Sequence, residues 1–135
     1  MRPKYLFVYG TLLPDNPAPE IAGLVRQLKY IGSATIKGRL YDLGEYPGAI
    51  IDPSSATLIH GEIYELPDDK ATLTKLDKFE EFDPFSPKKS LFVRTKCLAR
   101  LADGSNIECW IYVYNHDIRS AQLIPNGNYA ELKAS

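Results

Sequence analysis

Cysteine and histidine are scarce, with two of each in 135 residues. Cys97 and Cys109 form no CxxC, and His60 and His116 add too few ligands for a metal centre to be expected. Two histidines also suggest no Ser-His-Asp or Cys-His-Asn arrangement. Gly-x-Gly-x-x-Gly and P-loop patterns are missing, which removes those phosphate-binding sites. Charge is nearly balanced at a formal −1, and no basic run exceeds Lys88-Lys89. A broad basic field for nucleic acid or an acidic membrane surface is therefore excluded. No apolar run approaches the ~20 residues that a membrane helix needs. Tyr5 to Tyr9 is too short for the core of a signal peptide, so a cytoplasmic location with reduced thiols is expected. Repeats, low-complexity segments and linkers are missing too, and one domain over residues 1–135 is expected.

What is present is an ordinary globular composition, 44% apolar and 24% charged, on a chain long enough to bury a core. The stretch Lys4-Tyr5-Leu6-Phe7-Val8-Tyr9-Gly10-Thr11-Leu12 is its most organised part. β-branched and aromatic residues from Tyr5 to Tyr9 favour a buried strand. Gly10-Thr11 stops it, either as a simple turn or as a place where exposed backbone N–H groups hold a carboxylate or carbonyl oxygen.

Residues 18–28 carry Ile21, Leu24, Val25 and Leu28, a helical spacing. An extended run with bends or bulges at Gly32 and Gly38 follows over 28–43. The cluster Gly44 to Gly48 predicts a turn, Ala49–Ile51 a short strand, and Thr57–Leu66 another. The clearest helix is expected from about Asp68 to Glu81, with Asp capping its start. Ser90–Leu101 and Ile107–Tyr114 read as strands joined by Asp103-Gly104-Ser105-Asn106, a hairpin signal. The tail from Asn115 reads as a turn and one short helix. About six clustered strands with two or three helices make an α+β fold, and the long, Gly-containing strands suggest a closed or nearly closed small barrel.

On a helical wheel advancing about 100° per residue, with Leu73 at zero, Leu76 falls near −60° and Glu80 near −20°. Glu80 thus shares the core-facing side, while Glu81 falls near +80°. A carboxylate on an apolar face loses hydration and its pKa rises, which suits a general acid/base near neutral pH. The other reading is a helix-end Glu paired with Arg or Lys. Trp110, Tyr112 and Tyr114 alternate with Cys109, Ile111 and Val113, so they line one face of the last hairpin strand. By the same parity Cys97 and Cys109 share the face of Val93, Ile111 and Val113, as small buried hydrophobes. Tyr41 and Tyr46 flank the Gly-rich turn and could line a pocket. Arg94 could meet a carboxylate on a ligand or on the protein, Glu80 included.

In order, Val8-Tyr9-Gly10-Thr11-Leu12, Gly38 to Gly48, Gly61-Glu62-Ile63-Tyr64, Leu76-Asp77-Lys78-Phe79-Glu80 and Phe92-Val93-Arg94 resemble the gamma-glutamylcyclotransferase-like family over about residues 5–115. The resemblance implies a small mixed β-barrel with two or three flanking helices and a pocket at one end. It implies an enzyme that cyclises a gamma-glutamyl group to 5-oxoproline and releases the attached amine or amino acid. It implies Glu80 as the catalytic acid/base and Tyr9, Gly10, Thr11 and Leu12 as the substrate-holding loop, with Tyr41, Arg94 and Tyr112 as further candidates. The partner is then a small gamma-glutamyl substrate, and neither a metal nor an organic cofactor is needed. A binding module of the same fold, or a protein-interaction barrel with a vestigial pocket, are the other classes. Two positions depart from the family pattern. Glu81 stands where Gly is frequent, and a second carboxylate there either raises the Glu80 pKa further or replaces it. Phe92 stands where Tyr is frequent, which removes a hydroxyl.

Overall fold

The computed structural model describes residues 3–9, 27–43, 47–68, 70–119, 121–124 and 127. Seven strands are present among them: β1 (Tyr5–Val8), β2 (Lys29–Asp42), β3 (Pro47–Ile51), β4 (Leu58–Glu65), β5 (Phe92–Leu101), β6 (Asn106–Tyr114) and β7 (Gln122–Ile124). One α-helix, α1 (Ala71–Phe79), lies between β4 and β5, followed by a 3-10 turn at Pro87–Lys89. Of the expected helices, the one over 18–28 and any in the tail fall largely outside the described residues. The tail contributes a strand that was not expected, since β7 pairs with β2 through Leu40↔Ile124.

Five strands close into a mixed barrel in the order β2-β4-β1-β6-β5, and β2 closes it by pairing with β5. The ring is antiparallel except where β1 runs parallel to β6, with Leu6 opposite Trp110. The 14-residue β2 can serve so many partners because it changes neighbours along its length. It pairs with β4 up to Lys37 and with β3 from Gly38 onward. Its register slips between Tyr30 and Gly32, the bulge expected there. The β5–β6 hairpin forms as its turn residues dictate, with Gly104 at φ 89° and Asp103 accepting from the Ser105 N–H.

The strand β1 explains why the opening run is apolar without alternation. Phe7 and Tyr9 join the barrel interior with Ile36, Leu40, Ile59, Ile63 and Ile111. Leu6 and Val8 point the other way, into a second core with Tyr64, Leu76, Phe92, Trp110 and Tyr112. A strand covered on both faces has no polar side to show. The second core is where α1 packs, through the fully buried Leu76 and the partly buried Leu73 and Phe79. It also holds the aromatic face of β6, as the alternation of Trp110, Tyr112 and Tyr114 predicts.

Helix α1 is shorter than expected at both ends. Its N-cap is Lys70, no side chain caps it, and it ends at Phe79 rather than Glu81. Asp68 therefore does not perform the capping read from the sequence.

Candidate active site

The C-terminus of α1 fixes Glu80. The Phe82 N–H donates to the Asp77 carbonyl at 2.8 Å, and the Glu81 N–H donates to the Lys78 carbonyl at 3.1 Å. These are the two bonds of a Schellman cap, with Glu80 as the capping residue and Glu81 in the left-handed region at φ 55°. Such a cap explains why Gly suits the position after Glu80, since Glu81 carries a side chain through a conformation that favours glycine. Phe82 completes the motif by packing into the second core beside Leu76.

Glu80 is partly buried and lies just beyond the last helical residue. Among the described residues no cation forms an ion pair with it. Burial raises its pKa from 4.5 to about 8. Glu81, which is exposed, does not contribute to that rise. The charge of Glu80 also reaches the phenols of Tyr9 and Tyr112, where it adds to burial in pushing both pKa values up. Both phenols therefore stay protonated near neutrality, and the strand end carrying Tyr9 and the helix end carrying Glu80 share one environment.

Tyr9 crosses the mouth of the barrel. Its hydroxyl donates to the Tyr112 carbonyl at 2.5 Å and accepts from the Ala49 N–H at 3.3 Å. One buried side chain thus joins β1, β6 and β3 just before Gly10. Gly10, Thr11 and Leu12 lie outside the described residues.

Asp77 is the member of the site that the sequence reading passed over. It is buried, and it accepts from Arg94 Nε at 2.9 Å, from Arg94 Nη2 at 3.2 Å and from the Tyr112 hydroxyl at 2.7 Å. A bidentate Arg–carboxylate pair fixes both partners in one geometry. The same wheel that singles out Glu80 puts Asp77 near +40° from Leu73, so the signal was present. Arg94 thus pairs with a protein carboxylate, and that carboxylate is Asp77 rather than Glu80. Its guanidinium also lies over the Trp110 ring, 4.4 Å from the centroid. The buried Trp110 Nε1 has no hydrogen-bond partner among the described residues.

Tyr41 is placed differently. It sits on β2 opposite Gly48, where its hydroxyl accepts from Arg39 Nε at 3.1 Å. Arg39 in turn pairs with Asp52 near the surface. Phe92 is buried against Tyr114 in the second core, a setting that suits a ring without a hydroxyl. A groove of about 740 Å³ runs along the N-terminal half of α1 past Lys4, Glu65 and Lys70. Asp77, Arg94 and Trp110 line it but Glu80 and Tyr9 do not, so it lies beside the acid/base candidate and does not contain it.

Comparison with known proteins gives the family and agrees with the fold. The family model described as gamma-glutamyl cyclotransferase, AIG2-like, matches residues 6–131. The chain is 33% identical over 120 residues to the gamma-L-glutamyl-butirosin B gamma-glutamyl cyclotransferase of Niallia circulans, covering 83% of this chain and 67% of that one. It is 34% identical over 127 residues to the gamma-glutamylcyclotransferase family protein ytfP of Citrobacter rodentium, covering 93% and 95%. The crystal structure of an AIG2-like protein from mouse has the same fold, with a TM-score of 0.73 at 23% identity over 96% of this chain and 89% of that one. The chain, a closed mixed barrel with a buried carboxyl at the end of its helix, belongs to the gamma-glutamylcyclotransferase family of enzymes.

Proposed function

We propose that this protein cyclises a gamma-glutamyl group to 5-oxoproline and releases the attached amine, with Glu80 as the acid/base and no cofactor. The observation that carries the reading is the Glu80 carboxyl, capped at the end of α1 and raised to about 8 by burial. A carboxyl raised toward neutrality exchanges a proton with the substrate's α-ammonium at a smaller thermodynamic penalty than an ordinary carboxylate would. Ionised Glu80 takes a proton from the substrate's α-ammonium. The freed amine attacks its own γ-carbonyl, and the carbon–nitrogen bond to the leaving group breaks as the ring closes. Protonated Glu80 then delivers that proton to the departing nitrogen, and the second proton lost by the attacking nitrogen as the lactam forms also passes to the leaving amine, which departs as an ammonium.

The remaining roles belong to the same proposal. The reaction is intramolecular, so holding the chain folded is a large part of the catalysis. We assign that task to Tyr9 with Gly10, Thr11 and Leu12, whose N–H groups would stabilise charge on the γ-carbonyl oxygen. Tyr112, fixed by Asp77, presents a neutral phenol within reach of the Glu80 field. Arg94 then acts through Asp77 as a positioning residue. Tyr41, on the part of β2 that pairs with β3, is left as a further substrate-binding candidate.

The relative from Niallia circulans is named for gamma-L-glutamyl-butirosin B, which supports a gamma-glutamyl conjugate as the substrate class here. The test is a screen for oxoproline across gamma-glutamyl conjugates of amines and amino acids, run beside Glu80→Gln. That substitution keeps the shape and removes the titrating proton, and turnover is expected to fall by about 10²- to 10⁴-fold. Undiminished turnover in a folded Glu80→Gln protein would overturn the assignment. Ligand-dependent thermal stabilisation without product would instead point to a binding module.

A further inference from the structure

Cys97 and Cys109 are not isolated thiols. They stand directly opposite each other in the β5–β6 hairpin. Directly opposed residues project to the same face of a sheet, so their side chains meet. Here both project into the barrel interior, and the two sulfurs lie 3.7 Å apart. Opposed Cα atoms in an antiparallel pair are about 4.5 or 5.5 Å apart, and both values fall within the span that a disulfide accepts. Closing the remaining sulfur–sulfur gap requires small side-chain rotations and no change of register.

We propose that Cys97 and Cys109 form a reversible intramolecular disulfide, and that small symmetric disulfides are the oxidants that make it. The environment of the pair gives the order of events. Cys109 is fully buried, whereas Cys97 is only partly buried. Its hydrogen bond to Cys97 and its burial hold the Cys109 thiol up, so Cys97 ionises first. The Cys97 thiolate attacks one sulfur of the reagent RSSR. That S–S bond breaks, and the departing RS⁻ takes up a proton to become RSH. Cys109 then loses its proton, and its sulfur attacks the Cys97 sulfur of the mixed disulfide, expelling a second RSH. Two protein thiols are oxidised and one RSSR is reduced to two RSH.

The bond would join the two strands that carry Arg94 and Tyr112, and it would fasten a hairpin in the barrel wall. It is independent of the reaction proposed above. The experiment treats the whole reduced protein with 2-hydroxyethyl disulfide and follows intact mass, thiol count and melting temperature. The expected product has lost two hydrogens, has no free thiol and yields one cross-linked peptide pair containing Cys97 and Cys109. Its melting temperature is expected to rise by roughly 5–10 °C, returning on reduction. Cys97→Ser and Cys109→Ala should show no such rise. A wild-type protein that stays fully reduced, stops at a mixed disulfide, or cross-links only between molecules would overturn the proposal. Peptide mapping of the wild-type protein decides the matter even where a variant fails to fold.

Discussion

At the scale of single residues, the site depends on carboxylates with opposite environments three residues apart. Asp77 is buried but answered by Arg94 and Tyr112, so its charge is accommodated. Glu80 is withdrawn with no cation paired to it among the described residues, and burial makes it resist ionisation. Environments that push two carboxyls apart are how one short segment would supply both a fixed anion and, on the proposed mechanism, a proton carrier. Glu81 shows the cost of the cap that holds them. Its side chain is exposed and its φ is 55°, so Glu81→Gly removes strain while keeping the carbonyl that accepts from Leu91. The variant should be more stable by about 0.5–1 kcal/mol, read as a higher urea midpoint at unchanged slope. Glu80 was legible because an acidic residue on an apolar stripe stands out. Asp77 lay on the same stripe, but nothing local names a partner that is 17 residues away on another strand.

At the scale of elements, β1 decides where the site sits. It is held between β4 and β6, and β4 approaches it closely at Gly61. A Cβ at Gly61 would meet the Val8 carbonyl oxygen and come within 2.7 Å of the Phe7 ring. Gly61→Ala should therefore destabilise the protein by about 1–3 kcal/mol and lower turnover, because the displaced strand end carries Tyr9. Thermal melting and an oxoproline assay on the same preparation check both parts. Strands β2, β4, β5 and β6 were legible from alternation and turn chemistry. The strand β7 was not, since three residues offer no period to read, and its pairing with β2 is purely tertiary. Helix α1 was legible as an element but overextended, because Asp68 and Asp69 look like caps and Glu81 looks helical.

At the scale of the whole molecule, Glu80 makes stability depend on pH. Its folded pKa of about 8 lies above its unfolded value of 4.5. Below about pH 4.5 both states hold the proton and the group is neutral in its effect. As pH rises toward 8 the unfolded chain ionises first, so stability is lost across that window and levels off above it. Glu80→Gln cannot titrate, so its advantage over wild type should grow from pH 4.5 to 8, reaching on the order of 2 kcal/mol given the partial exposure of Glu80. Denaturant curves for both proteins at several pH values measure it. A variant less stable than wild type at pH 8 would mean that the carboxylate is held by a partner. The barrel itself was only half legible. Clustered strands imply closure, but which strands meet at the seam is set by contacts with no local signature.

The parallel seam between β1 and β6 has a consequence for how the protein is made. Leu6 sits beside Trp110, so the first strand cannot find its neighbour until more than a hundred further residues exist. Pairings this distant in sequence close slowly, because the loop entropy is lost before the contact is gained. During synthesis β1 must wait with Leu6, Phe7 and Val8 uncovered on one edge while the ribosome completes the hairpin. The closed ring therefore arrives last. Tyr9 reaches the Tyr112 carbonyl only when the ring shuts, and a truncated chain lacking β6 keeps every residue of the Glu80 cap but has no Tyr112 for Tyr9 to reach.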